Sequence, residues 1–133
     1  MSDQPSVQQL IQSLPCRVEL PEDATLFFSR RGPLVSQYDE KRQYPRFYCR
    51  TEAALVCKQS LPACTRQSRT HRIYVKDISR RSIAFLHFEQ LFPCEKVDVI
   101  LTDGGLRPIT VIRCRRIQKD CYEVVGDFSA ILA

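Results

Sequence analysis

The chain is short of the residue patterns that catalysis, metal binding and membrane insertion require. Seven cysteines are present, yet none form a Cys-x-x-Cys pair, and Cys49, Cys57 and Cys64 are too widely spaced for a zinc knuckle. The two histidines, His71 and His87, have no partner at ligand spacing. With four glycines in all, there is no Walker-type or dinucleotide-binding glycine loop. No nucleophile stands with a base, and no carboxylate pair sits in an apolar run, so the expectation is a binding protein with no cofactor, not an enzyme. No basic-then-apolar leader pattern opens the sequence, and no apolar stretch approaches membrane-spanning length. An odd cysteine count argues against a disulfide framework, and the expectation is a reduced, cytoplasmic protein without membrane insertion.

What is present fits one modest domain. At 133 residues the chain can bury one core but not two independent ones. Its 20 Lys+Arg against 15 Asp+Glu leave a net charge of +5, which favours an anionic partner without naming it. From Pro5 to Leu14, Val7, Leu10, Ile11 and Leu14 recur at helical spacing, with Pro15 as a stop. A helix this short is marginal alone and must dock or fray. From Cys16 to Tyr38 the pattern is irregular, broken by Pro21, Gly32 and Pro33; one strand is expected around Thr25 to Ser29, and Arg30-Arg31 reads as solvated charge. Residues 1–38 are therefore taken as a helical arm and 39–133 as the main domain.

From Phe47 onward the period becomes two, the mark of strands. Phe47, Cys49, Thr51, Ala53, Leu55 and Cys57 fall on one face; Tyr48, Arg50, Glu52 and Lys58 fall on the other. Similar alternation runs through Val97 to Leu101 and Tyr122 to Phe128, giving each strand one wet face. Further strands are predicted over Arg72–Ile78, Ile83–Phe88 and Ile109–Ile117, with turns at Leu61-Pro62, Phe92-Pro93 and Asp103-Gly104-Gly105. Six short strands without intervening helices predict an all-β fold, a small antiparallel barrel or sandwich.

Two short motifs carry chemistry. Arg42-Gln43-Tyr44-Pro45-Arg46 sets two planar guanidinium forks four residues apart on a segment that Pro45 keeps extended. Such forks suit phosphate oxygens and the O6/N7 acceptor edge of guanine. In Val75-Lys76-Asp77-Ile78-Ser79-Arg80-Arg81-Ser82, Asp77 and Ser79 can take the donor edge of the base. Each motif alone has a plain reading, as solvated loop arginines and a local Asx-type turn.

Taken together and in this order, the motifs resemble the PilZ domain, a bacterial receptor module for cyclic di-GMP whose pattern is Arg-x-x-x-Arg followed by Asp/Asn-x-Ser-x-x-Gly. The resemblance extends over roughly Glu40 to Phe128, including a closing strand at Tyr122 to Phe128. It implies a six-stranded antiparallel β-barrel with an N-terminal helical arm, and a cyclic di-GMP receptor that passes the second-messenger level to a downstream protein partner. Carried over residue by residue, Arg42 and Arg46 clamp phosphate and guanine, Asp77 and Ser79 read the base edge, and residues up to Ser82 let the ligand approach. Lys41 and Arg81 add phosphate contacts, and the residue ahead of the first arginine, here Lys41, bears on whether one ligand or a stacked pair is held. Ser82 replaces the family's glycine, which is expected to cost about 1 kcal/mol where the backbone must be permissive. The resemblance also implies an alternative, a nucleotide-independent adaptor on the same barrel. Ligand binding is expected to order the segment from Arg30 to Arg46, where like charges at Arg30, Arg31, Lys41, Arg42 and Arg46 repel one another.

A rival reading rests on Arg113-Cys114-Arg115-Arg116 with Lys119. A basic stripe beside exposed aromatics such as Tyr48 and Tyr74 would let a small barrel bind single-stranded nucleic acid by stacking. Without those aromatics the same arginines merely solvate an outward strand face. Cys49 and Cys57, on the apolar face of a strand, read as core cysteines.

Overall fold

The computed structural model describes residues 6–32, 46–59 and 70–128. They form two short helices, α1 (Val7–Gln12) and α2 (Ala24–Ser29), and six strands: β1 (Phe47–Gln59), β2 (Thr70–Ile78), β3 (Ser82–His87), β4 (Lys96–Ile100), β5 (Leu106–Gln118) and β6 (Cys121–Phe128). The strands close into a barrel in the order β1-β2-β3-β6-β5-β4, and every pairing is antiparallel. The all-β expectation holds, as a barrel and not a sandwich. Closure runs through β1, whose Leu55 lies opposite His71 of β2 on one side and Val99 of β4 on the other.

Period-two alternation fills the interior. Ala53 and Leu55 from β1, Ile73 and Val75 from β2, Ile83 and Phe85 from β3, and Val97 and Val99 from β4 meet Ile109, Val111 and Val124, none more than 2% exposed. Cys49 and Cys57 pack against this cluster, as their face predicts. Burying a side chain such as Phe85 contributes about 1.5–3 kcal/mol. One close approach needs glycine: a Cβ on Gly126 would collide with Ile109 Cγ2 and stand 3.0 Å from the Thr110 carbonyl oxygen, so β5 and β6 meet there without a side chain between them. The predicted turn at Leu61-Pro62 lies outside the described residues. The Asp103-Gly104-Gly105 turn is present, with Gly104 at φ +87° and the Asp103 carboxylate accepting from Gly105 N–H at 2.7 Å.

α1 is shorter than the expected Pro5–Leu14 span and starts with a capping box. Ser6 Oγ accepts from Gln9 N–H at 3.2 Å, and Gln9 Oε1 accepts from Ser6 N–H at 2.9 Å. Its Ile11 is buried against the body, while Leu10 stays exposed.

Residues 24–29 correct the sequence reading: they form α2, not a strand. Thr25-Leu26-Phe27-Phe28 has the β-branched and aromatic content of a strand. Asp23 overrides it by capping the helix, its carboxylate accepting from Thr25 N–H at 2.7 Å. The helical turn then aims Phe27 and Phe28 at one place, the outer wall of the barrel.

The arm crosses that wall by backbone bonds. Arg72 N–H donates to Pro15 O at 2.9 Å, Glu19 N–H to Asp120 O at 3.0 Å, and Tyr48 N–H to Gly32 O at 2.9 Å. Beneath it a second apolar cluster joins Phe27 to Leu86 and Cys121, flanked by Val18, Leu20, Phe28, Tyr74 and Ile117. The outward face of β6 is therefore not wet throughout, as alternation alone predicted: Asp127 is exposed but Cys121 is 0% exposed, and Leu86 of the adjacent β3 is 2% exposed.

Candidate functional site

The β2–β3 hairpin presents the second motif. Ser79 N–H donates to Ser82 O at 2.8 Å, making Arg80-Arg81 a two-residue loop. Ser79 Oγ accepts from Ser82 N–H at 3.1 Å and from Arg81 N–H at 3.3 Å, and lies 3.0 Å from Ser82 Oγ. Phe128 N–H donates to Arg81 O at 2.9 Å, anchoring the loop to β6. The Ser79 hydroxyl is thus engaged inside the hairpin. Ser82 is not among the positive-φ residues, which outside glycine are Cys94 and Asp120 among the described residues. The backbone reason for glycine at position 82 does not operate here, and close approach of a ligand is the reason that remains.

Strand register brings the end of the first motif to this hairpin. Phe47 lies opposite Ile78 and Tyr48 opposite Asp77, so Arg46, one residue earlier, enters β1 at the level of Ser79. The register shifts between Val75 and Asp77, so Asp77 lies opposite Tyr48 and Ala84 while Ile78 packs on the core, and Asp77 is 6% exposed. Burial pushes its carboxyl pKa up, against the attraction of Arg46, Lys76 and Arg50. Cys49 lies near it, and its thiol is pushed up by burial and by the Asp77 charge. Asp77 therefore sits as a buried acid within the field of Arg46. Arg81 is exposed at the hairpin tip. Arg42 and Lys41 lie outside the described residues, so the structure brings together Arg46, Asp77, Ser79, Arg81 and Ser82.

Charged residues on the outer wall were missed by the sequence reading. Tyr48 and Arg50 leave β1 on the same face, and the Arg50 guanidinium lies 4.3 Å from the Phe27 ring centroid and 5.1 Å from that of Tyr48. Glu22 of the arm pairs with Arg30 at 3.0 Å and with Arg50 at 3.8 Å. Lys76 pairs with Glu123 across β3, and Arg115 reaches the same carboxylate at 2.9 Å. Burial opposes the charge on Glu123, but these two cations outweigh it and hold its carboxyl below the ordinary range. Tyr74 is pushed up to about 12 by burial and by its hydrogen bond with Cys16. The available sequence signal was the pair of arm aromatics, Phe27-Phe28, which require an apolar or cationic surface to cover.

The same packing covers part of the aromatic surface expected to stack on nucleic acid. Tyr48 and Tyr74 are half-buried, and Tyr74 packs edge-on to Phe28 and Phe27 at 5.6 and 6.1 Å. Arg113, Arg115 and Arg116 do face solvent on β5. No group of three or more His, Cys, Asp or Glu among the described residues is arranged to hold a metal ion, and no helix there is long and apolar enough to cross a membrane. Comparison with models of known families, with curated proteins and with solved structures finds no match.

Proposed function

We propose that this protein is a receptor for cyclic di-GMP, binding it at the mouth of the barrel between the arginine segment ahead of β1 and the β2–β3 hairpin. The observation that carries the reading is the register of β1 on β2, which sets Arg46 beside Asp77 and the Ser79–Ser82 hairpin. Arg46, the last residue of the first motif, and Asp77-x-Ser79 of the second, about thirty residues apart in sequence, are neighbours in space. In this reading Arg46 and Arg42 clamp a phosphate and the acceptor edge of guanine. Asp77 orients Arg46 from behind and reaches the base edge only as ligand binding uncovers it. Arg81 and Lys41 supply further positive charge. Rearrangement of the arginine segment then changes the surface offered to a protein partner.

A second reading, the nucleotide-independent adaptor, is favoured by one observation. The Ser79 hydroxyl is engaged by the hairpin's own N–H groups and Ser82, which leaves it less to offer a ligand. Calorimetric titration with cyclic di-GMP, with GTP and cyclic GMP as controls, separates the two. Arg46→Ala should weaken binding about tenfold or more, since one bidentate fork contributes roughly 1–3 kcal/mol. It should leave the melting temperature unchanged. Absence of heat with the wild-type protein would favour the adaptor.

A further inference from the structure

A cavity of about 270 Å³ opens between the arm and the outer wall, lined by Glu22, Phe27, Arg30, Tyr48, Arg50 and Lys76, among others. It is smaller than the roughly 300–1,000 Å³ that encloses a drug-sized ligand. One small charged group fits such a space better than an entire cyclic dinucleotide. Three cations line it against one carboxylate, and Lys76 is already matched to Glu123.

Arg50 is the anomaly in this cavity. Its side chain is 7% exposed, and its Nε is buried with no hydrogen-bond partner among the described residues. A buried guanidinium normally satisfies its donors, and leaving one unmade costs on the order of 1–3 kcal/mol. Glu22, the carboxylate paired with it among the described residues, stands off at 3.8 Å and is held closer by Arg30 at 3.0 Å. Phe27 and Tyr48 hold the guanidinium plane from the side, so the fork is fixed in direction while its donors are not all used. Burial and the neighbouring Arg30 lower the pKa of Arg50.

We infer that this cavity is a phosphate-oxyanion site centred on Arg50 and Arg30, in which Glu22 stands as an internal surrogate for the anion. The tetrahedral oxyanion of a phosphate or phosphate ester fills the fork's open donors, as a single distant carboxylate oxygen does not. Its entry competes with Glu22 and so loosens the hold of the arm on the wall. The inference does not depend on the cyclic di-GMP reading, because neither Arg46 nor the Ser79–Ser82 hairpin lines the cavity.

The Arg50 Nε–H resonance in a proton–nitrogen correlation spectrum reports on the site directly. It should shift on titration with pyrophosphate and with guanosine 5′-monophosphate, but not with guanosine. A response to pyrophosphate alone would assign the site to free phosphate; a tighter response to the monophosphate would assign it to nucleotides. Glu22→Gln should tighten binding about threefold to tenfold by removing the competing charge, with the fold checked by melting. Arg50→Lys keeps the charge and the apolar stem but should lose about tenfold or more in affinity, since a point ammonium replaces the fork. Arg46→Ala should leave phosphate binding intact even where it abolishes cyclic di-GMP binding, so the two readings fail separately. A stationary Arg50 Nε–H signal at saturating pyrophosphate, in wild type and Glu22→Gln alike, would overturn the inference.

Discussion

Inside the barrel, Leu55, Ile73, Phe85 and Val99 belong to one apolar cluster and are 0% exposed. Outside it, under the arm, Phe27, Leu86 and Cys121 are almost as completely buried, but they adjoin Arg50, Lys76, Glu22 and Glu123. The first region is supplied by all six strands and is held by non-directional burial. The second is supplied by a helix of six residues, a few backbone bonds and directional charge pairs. Buried area alone therefore does not distinguish a part that must stay closed from a part that can let go. The number of strands contributing to it, and the presence of charge, do.

The contrast can be broken most forcefully at Phe85. Phe85→Ala leaves a void among residues from every strand and should cost about 3–5 kcal/mol in urea-induced unfolding, in a single transition. Phe27→Ala removes an equally buried ring, yet its loss is limited to the docking energy of the arm, about 1–3 kcal/mol. Hydrogen exchange should then speed up across residues 16–32 and at Tyr48 and Arg72, whose N–H groups donate to the arm, while the other amides of β1 to β5 keep their protection. Equal deprotection of arm and strands would mean that the two regions are one cooperative unit.

Acid provides a finer separation, because Glu123 under the arm and Asp77 beside the hairpin hold carboxyls shifted in opposite directions. Glu123, on the outer wall, has its pKa lowered from 4.5 by Lys76 and Arg115, so its stabilisation is present above that value and is lost as pH falls through the folded one. Asp77, near the end of β2 beside the hairpin, is raised from 3.8, so its contribution is full below that value and is lost as pH rises through the folded one. Glu123→Gln should therefore flatten the acid limb of the stability curve by about 1 kcal/mol and leave neutral-pH unfolding of the interior cooperative. Thermal melts between pH 3 and pH 7 read this out. The smallest effect is expected at Ser82→Gly. With no positive φ to relieve, glycine should lower stability by about 0.5–1 kcal/mol. It also frees the Ser79 hydroxyl from one partner and opens the approach to the hairpin, so cyclic di-GMP binding should be kept or modestly tightened in the same titrations.

The interior was legible in the sequence because alternation is a local signal: each of Ala53, Leu55, Val97, Val99 and Val124 is assigned to its face by its immediate neighbours. The outer wall was not. Leu86 and Cys121 look like outward positions until something covers them, and the cover, α2, was read as a strand from its aromatic and β-branched content. The hairpin half of the candidate site could be found from Asp77-x-Ser79 and its position at the end of a strand. Arg50 could not, since an arginine alternating with tyrosine on an outward face is ordinarily solvated. Only the arm, folding back over residues distant in sequence, turns it into a buried cation.

The closure of β1 onto both β2 and β4 has a consequence for how this protein meets others. A sheet with two open ends offers rows of unpaired amides to which another chain can add as a further strand, almost irrespective of its side chains. A closed ring offers no such rail. Among the described residues, what the barrel presents to a partner is therefore side chains projecting from the wall, the hairpin tip or the arm, so a handful of substitutions at those positions could redirect the protein to a different partner without disturbing a single strand pairing.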